Sequence, residues 1–93
     1  MRLELGQPVA TPGALALLER LGIEPGALLM RHQSGDWGDL DAEDTELNDD
    51  AAAAEGDDRG RILSAYELAE GHKVWIITEW DRSVTTLLLP SEY

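Results

Sequence analysis

The chain has ninety-three residues, nineteen acidic against seven basic side chains, a formal charge of −12 and no cysteine. The length suits a single domain whose core needs no staples. The missing cysteine removes disulfides, thiolate metal sites and cysteine nucleophiles together, and fits a reducing cytoplasm. A field of this sign repels phosphate backbones and anionic lipid, so neither direct nucleic-acid binding nor a membrane surface is expected. A basic protein surface, including one that ordinarily holds DNA or RNA, would be attracted over the distance that salt permits.

In chain order, residues 1–7 lack the continuous apolar run of a secretory signal, and no later stretch approaches the roughly eighteen apolar residues of a membrane span. A soluble, unprocessed, cytoplasmic chain is expected. Thr11-Pro12-Gly13 opens a first helix, with Thr11 as cap, Pro12 in the first turn, Leu15, Leu17, Leu18 and Leu21 following, and Gly22 as the stop. Residues 23–32 repeat the arrangement, with Pro25 near the start and Leu28, Leu29 and His32 along one face, so the two form a short helical hairpin. Residues 34–39, with Gly35, Gly38, Asp36 and Asp39, read as a structured loop.

Asp41, with Asp44 three residues on, resembles a capping box, and Leu40, Leu47, Ala51 and Ala54 recur at helical spacing through a third helix of about thirteen residues. The stretch from Asp36 to Asp58 holds eleven of the nineteen acids and no lysine or arginine. Residues 56–60 read as a flexible connector. Three β-prone runs follow, 61–68, 73–79 and 84–89, the middle one apolar on both faces and therefore central. The expected fold is α+β, one domain over residues 1–93: two or three N-terminal helices, within about 11–55, packed on a three-stranded antiparallel meander over about 61–89.

Few residues invite chemistry. His32 lies shortly before Asp36, and an imidazole among carboxylates can act as a base or bind a metal; the ordinary account is a helix-terminal histidine kept positive by the helix dipole and nearby acid. His72 falls in a turn and is expected to be solvated. The oxygen-rich run 36–43 does not match the D-x-D-x-D-G calcium loop, and no metal or cofactor is expected. Glu79, Asp81 and Arg82 meet at a predicted turn, where an ion pair that fixes the turn is the simpler reading. Trp80 beside them needs cover from its own sheet or from another chain. Ser34, Ser64 and Ser83 sit in no nucleophile elbow.

Three segments, Leu5-Gly6-Gln7-Pro8-Val9-Ala10-Thr11-Pro12-Gly13-Ala14-Leu15, Arg31-His32-Gln33-Ser34-Gly35-Asp36-Trp37-Gly38, and the run from Trp75-Ile76-Ile77-Thr78-Glu79-Trp80-Asp81-Arg82-Ser83 to Tyr93, are together similar to a family of small bacterial, plasmid-related proteins encoded on plasmids and integrative elements. The resemblance covers nearly the whole chain. Trp80 stands where it leads one to expect a smaller residue, and the acidic connector before Gly60 is longer. It carries over no catalytic or ligand residue. A type I restriction methylation label sometimes attached to such proteins does not fit, because this chain has no room for a methyltransferase domain and no glycine-rich cofactor fingerprint.

Three functional readings follow. The first is a small acidic accessory protein of mobile elements that binds a basic or nucleic-acid-handling protein, in a role against host defence, through the acidic helix (Asp41, Asp44) and with Trp37 and Trp80 as anchors. The second is a small hydrolase or nuclease-like enzyme using His32 and Asp36 with Glu79, Asp81 and Arg82. The third is a homodimeric structural module with no catalytic role.

Overall fold

The computed structural model describes residues 3–54 and 60–93. The chain opens on a short strand, β1 (Gln7–Ala10), followed by α1 (Pro12–Leu21), α2 (Pro25–Gln33) and α3 (Ala42–Ala53), then by strands β2 (Ile62–Glu67), β3 (Lys73–Thr78) and β4 (Val84–Leu88). One sheet takes the order β1-β4-β3-β2. Its β2–β3 and β3–β4 pairs are antiparallel, and β1 lies parallel to β4. The class is α+β as expected, but the sheet is four-stranded and mixed rather than a three-stranded meander, and a strand precedes the helices. The connector expected at 56–60 lies, but for Gly60, outside the described residues.

The helix ends follow from local chemistry. Thr11 Oγ1 accepts the Ala14 N–H at 3.2 Å, Pro12 starts the first turn, and Gly22 closes α1 at φ 69°. That left-handed angle carries little penalty for glycine, and it lets the Gly22 and Ile23 amides reach back to the Glu19 and Leu18 carbonyls. Ala14, Leu17 and Leu18 are the residues α1 buries, at the spacing of one helical face. α2 buries Leu28 and His32, four residues apart. α3 is different: Asp41 caps it through the Asp44 N–H at 2.8 Å, and Asn48 is the one residue it buries.

β3 is an inner strand, as its two apolar faces imply. Val74, Ile76, Tyr66 and Leu87 meet Ala14 and Leu18 of α1 and Leu28 of α2 in the main core. A second cluster joins Leu3, Trp37 and Ile62, with Leu40 and Ala51 packed against it. Among the described residues no helix is long and apolar enough to cross a membrane.

The two sheet edges are handled differently. Pro8 lies in β1 and has no N–H to offer a further strand. On β2, Ala65 receives a one-residue bridge from the loop: its N–H donates to the Trp37 carbonyl at 3.1 Å and its carbonyl accepts the Asp39 N–H at 2.7 Å. The Glu67 N–H donates to Asp39 Oδ2 at 2.7 Å, and the Asn48 amide takes both backbone groups of Leu63. Gly38 must be glycine for the loop to come this close, since it sits at φ 77° and a Cβ there would collide with the Ala65 carbonyl.

Candidate functional site

His32 is at the centre of the polar architecture, fully buried at the C-terminal end of α2. Its Nδ1 pairs with Ser64 Oγ, and its Nε2 lies 2.8 Å from Thr78 Oγ1. Thr78 Oγ1 lies 2.8 Å from Thr85 Oγ1, which donates to the Leu5 carbonyl at 2.7 Å. That last carbonyl can only accept, and this fixes the direction of the chain. Thr85 spends its hydrogen on Leu5 and accepts from Thr78, and Thr78 then accepts from Nε2–H.

Burial favours the neutral ring, and in that form Nδ1 is left to accept the Ser64 hydroxyl. Burial, and secondarily the nearby Arg82 guanidinium, lower its pKa to about 4. The expected dipole-stabilised positive histidine is corrected: desolvation in this position outweighs the helix end. Both ring nitrogens are occupied and no solvent reaches them, so the group offers a substrate neither a base nor a ligand.

The other residues that sequence placed in a catalytic set are each engaged locally. Asp36 pairs with Arg31 at 2.6 Å, which holds the carboxylate below its usual range and raises the guanidinium's pKa. The Arg31 guanidinium also lies over the Tyr66 ring at 4.5 Å, and the Tyr66 hydroxyl donates to the Asp36 carbonyl at 2.7 Å. Burial pushes that phenol up to about 12. Glu79 lies 3.3 Å from Arg61, and Asp81 accepts from the Ser83 N–H and hydroxyl.

Arg82 is 7% exposed rather than presented at a turn. Its Nη1 donates to the Gly60, Glu79 and Trp80 carbonyls and its Nη2 to the Ala51 carbonyl at 2.8 Å. The guanidinium thus ties the β3–β4 turn to the last turn of α3 and to the start of β2, and its φ of 61° is held by those bonds.

Of the expected anchors, Trp37 is corrected: it is 5% exposed, packs edge-on to His32 at 5.5 Å, and donates Nε1–H to Asp49 at 2.9 Å. The loop turns it inward because it belongs to the second core. Trp80 is exposed, at 51%. Asp41 serves as a cap and Asp44 supplies the capped amide, both on the surface.

Sequence reasoning missed the partners that make His32 a core residue. Ser64, Thr78 and Thr85 all stand at strand positions whose neighbours two residues away point to the core, and that alternation is the signal that finds them. Asn48 is signalled by nothing in its own helix.

What remains on the surface is charge. Glu43, Asp44, Glu46, Asp49 and Asp50 of α3 are exposed, and none meets a cation among the described residues, whose ion pairs are Arg31–Asp36, Arg61–Glu79 and Glu70–His72. Leu47, 61% exposed, lies between Glu43 and Asp44 on one side and Asp50 on the other, at the i±3 and i±4 spacing of one helical face. No family model, curated protein or solved structure matches the chain.

Proposed function

We propose that this chain is a small accessory protein of a mobile genetic element that works by binding a basic, nucleic-acid-handling protein, using the outward face of α3. The observation that carries the reading is the row of carboxylates on α3 that meet no cation among the described residues, with Leu47 exposed in its middle. Leaving aside Asp49, which is turned to Trp37, Asp41, Glu43, Asp44, Glu46 and Asp50 fall within ten residues. At about 1.5 Å rise per residue that is roughly one charge per 3 Å, within a factor of two of the one per about 1.7 Å of duplex DNA. A surface built to hold phosphates meets a similar linear charge here, and Leu47 adds the apolar contact that charge alone lacks.

The mobile-element context rests on the resemblance described above, and a role against host defence is the form such binding would take. The test is a direct titration against DNA-binding proteins of the host, with the wild-type chain and with a variant carrying Glu43→Gln, Asp44→Asn and Asp50→Asn. The reading expects a partner whose affinity falls steeply with salt, is competed by duplex DNA, and is lost in the neutralised variant. Binding that survives neutralisation, or that DNA does not displace, refutes it.

A further inference from the structure

A second surface feature is independent of the acidic helix. An open groove of about 650 Å³ runs between α1, the β2–β3 turn and the C-terminal turn Pro90–Glu92. Its lining includes Arg20, His72 and Lys73, the chain's single lysine, together with the apolar Leu17, Leu89 and Pro90. In a chain of charge −12 this grouping is unusual. Arg31 and Arg61 are held by carboxylates, and Arg82 by carbonyls. Arg20 and Lys73 have no carboxylate partner among the described residues, although Glu67 stands directly across from Lys73 in the β2–β3 register.

The guanidinium is already positioned. Arg20 Nη2 donates to His72 Nε2 at 3.0 Å, which fixes its side chain against the β2–β3 turn and leaves its other donors for a further acceptor. Two carboxylates stand at the rim of the groove, that of Glu92 against Gly13. Glu70 lies 3.8 Å from His72 Nε2 with its side chain 76% exposed, and Glu92 accepts from the Thr11 hydroxyl at 2.6 Å and the Leu89 N–H at 2.9 Å. The acidic helix is attached toward the other end of β2. α3 is anchored at Leu63, four strand residues from Glu67 at the groove end of β2, or about 13 Å. That exceeds the Debye length of about 8 Å at physiological salt.

We infer that this groove binds a small amphipathic anion, a carboxylate or phosphate monoester head carried on an apolar body. The head meets Arg20 beside His72, with Lys73 adding positive charge at the wall, while the body lies on Leu17, Leu89 and Pro90. The volume is that of a small-molecule site rather than of a polymer track.

The experiment is a ¹⁵N-resolved NMR titration of the full chain with four probes: octanoate, octyl phosphate, 1-octanol and inorganic phosphate. Octanoate or octyl phosphate is expected to shift the amides of Ala16, Gly71, His72 and Lys73, and which of the two binds more tightly identifies the head. Octanol and inorganic phosphate at equal concentration should not. Arg20→Gln should weaken binding at least about tenfold, the effect of losing a charged hydrogen bond. Lys73→Gln, at an exposed position, should weaken it less and gives the same comparison if Arg20→Gln does not fold. Shifts that octanol or inorganic phosphate reproduces, shifts that persist in both variants, or no shift up to about 10 mM overturn the inference.

Discussion

The neutral state of His32 makes a quantitative prediction about acid. With the folded-state pKa lowered from 6.5 to about 4, the native protein resists a proton that the unfolded chain accepts freely. Above pH 6.5 both states are neutral at this position and its contribution is intact. As pH falls from 6.5, the unfolded state binds the proton first, so stability declines until about pH 4, where the native imidazole protonates too. At about 1.36 kcal/mol per unit the loss is about 3 kcal/mol. That is a large part of the roughly 5–14 kcal/mol expected for a domain of this size. His32 is fully buried, so solvent screening does not reduce the figure.

Urea unfolding of the wild type and of His32→Gln, in steps between about pH 7 and pH 4, isolates the contribution of this histidine. All other groups are common to both proteins and cancel in the difference. The stability advantage of wild type over variant should shrink by about 3 kcal/mol across that interval. Parallel profiles would show that the buried imidazole takes up a proton at an ordinary pH and would refute the tautomer and burial argument together. A heteronuclear spectrum of the ring adds an independent check, since it should report hydrogen on Nε2 and none on Nδ1.

Two further substitutions probe the joints of the fold. Asn48→Ala removes the partner of both Leu63 backbone groups. It should cost about 2–3 kcal/mol by thermal or urea unfolding and raise aggregation, because the β2 edge loses part of its cover. Arg82→Lys keeps the charge but cannot reach the four carbonyls that the guanidinium fork spans. A loss of about 2 kcal/mol, seen as a melting temperature lower by roughly 10 °C, is the expected result, and an unchanged melting temperature would count against the staple.

The elements that could be read from sequence are those whose signals are local. The caps at Thr11 and Asp41, the stop at Gly22 and the runs that became β2, β3 and β4 depend on residues within one or two turns of each other. β1 has no such signal. Gln7-Pro8-Val9-Ala10 contains a proline and a single β-branched residue, and it is a strand because β4 offers a parallel edge and Thr85 grips the Leu5 carbonyl. The site was hidden for the same reason. His32 stands next to acid in sequence, yet in space its neighbours are Ser64 and Thr78, thirty-two and forty-six residues away. Arg82 looked like a turn residue beside two acids, whereas its reach to Ala51 and Gly60 comes from the way α3 closes over the end of the sheet.

α3 shows how one segment can hold the fold together and still leave a charged face exposed. It buries Asn48 and nothing apolar of comparable depth, so it is not held as α1 is held. Beside the packing of Ala51 and Ala52 against the second core, its attachments are polar and directional: Asn48 to Leu63, Asp49 to Trp37, and the Ala51 carbonyl to Arg82. Each engages the side of the helix toward the sheet edge and leaves the face bearing Glu43, Leu47 and Asp50 outside. Hydrophobic anchoring would have required apolar residues around more of the circumference and fewer acids. Polar anchors leave the charge density high, and the same contacts that fix α3 also cover the backbone of β2. A cationic partner seated on the outer face would relieve the mutual repulsion of the carboxylates, and because it binds the folded helix it would also raise the stability of the edge that the helix protects.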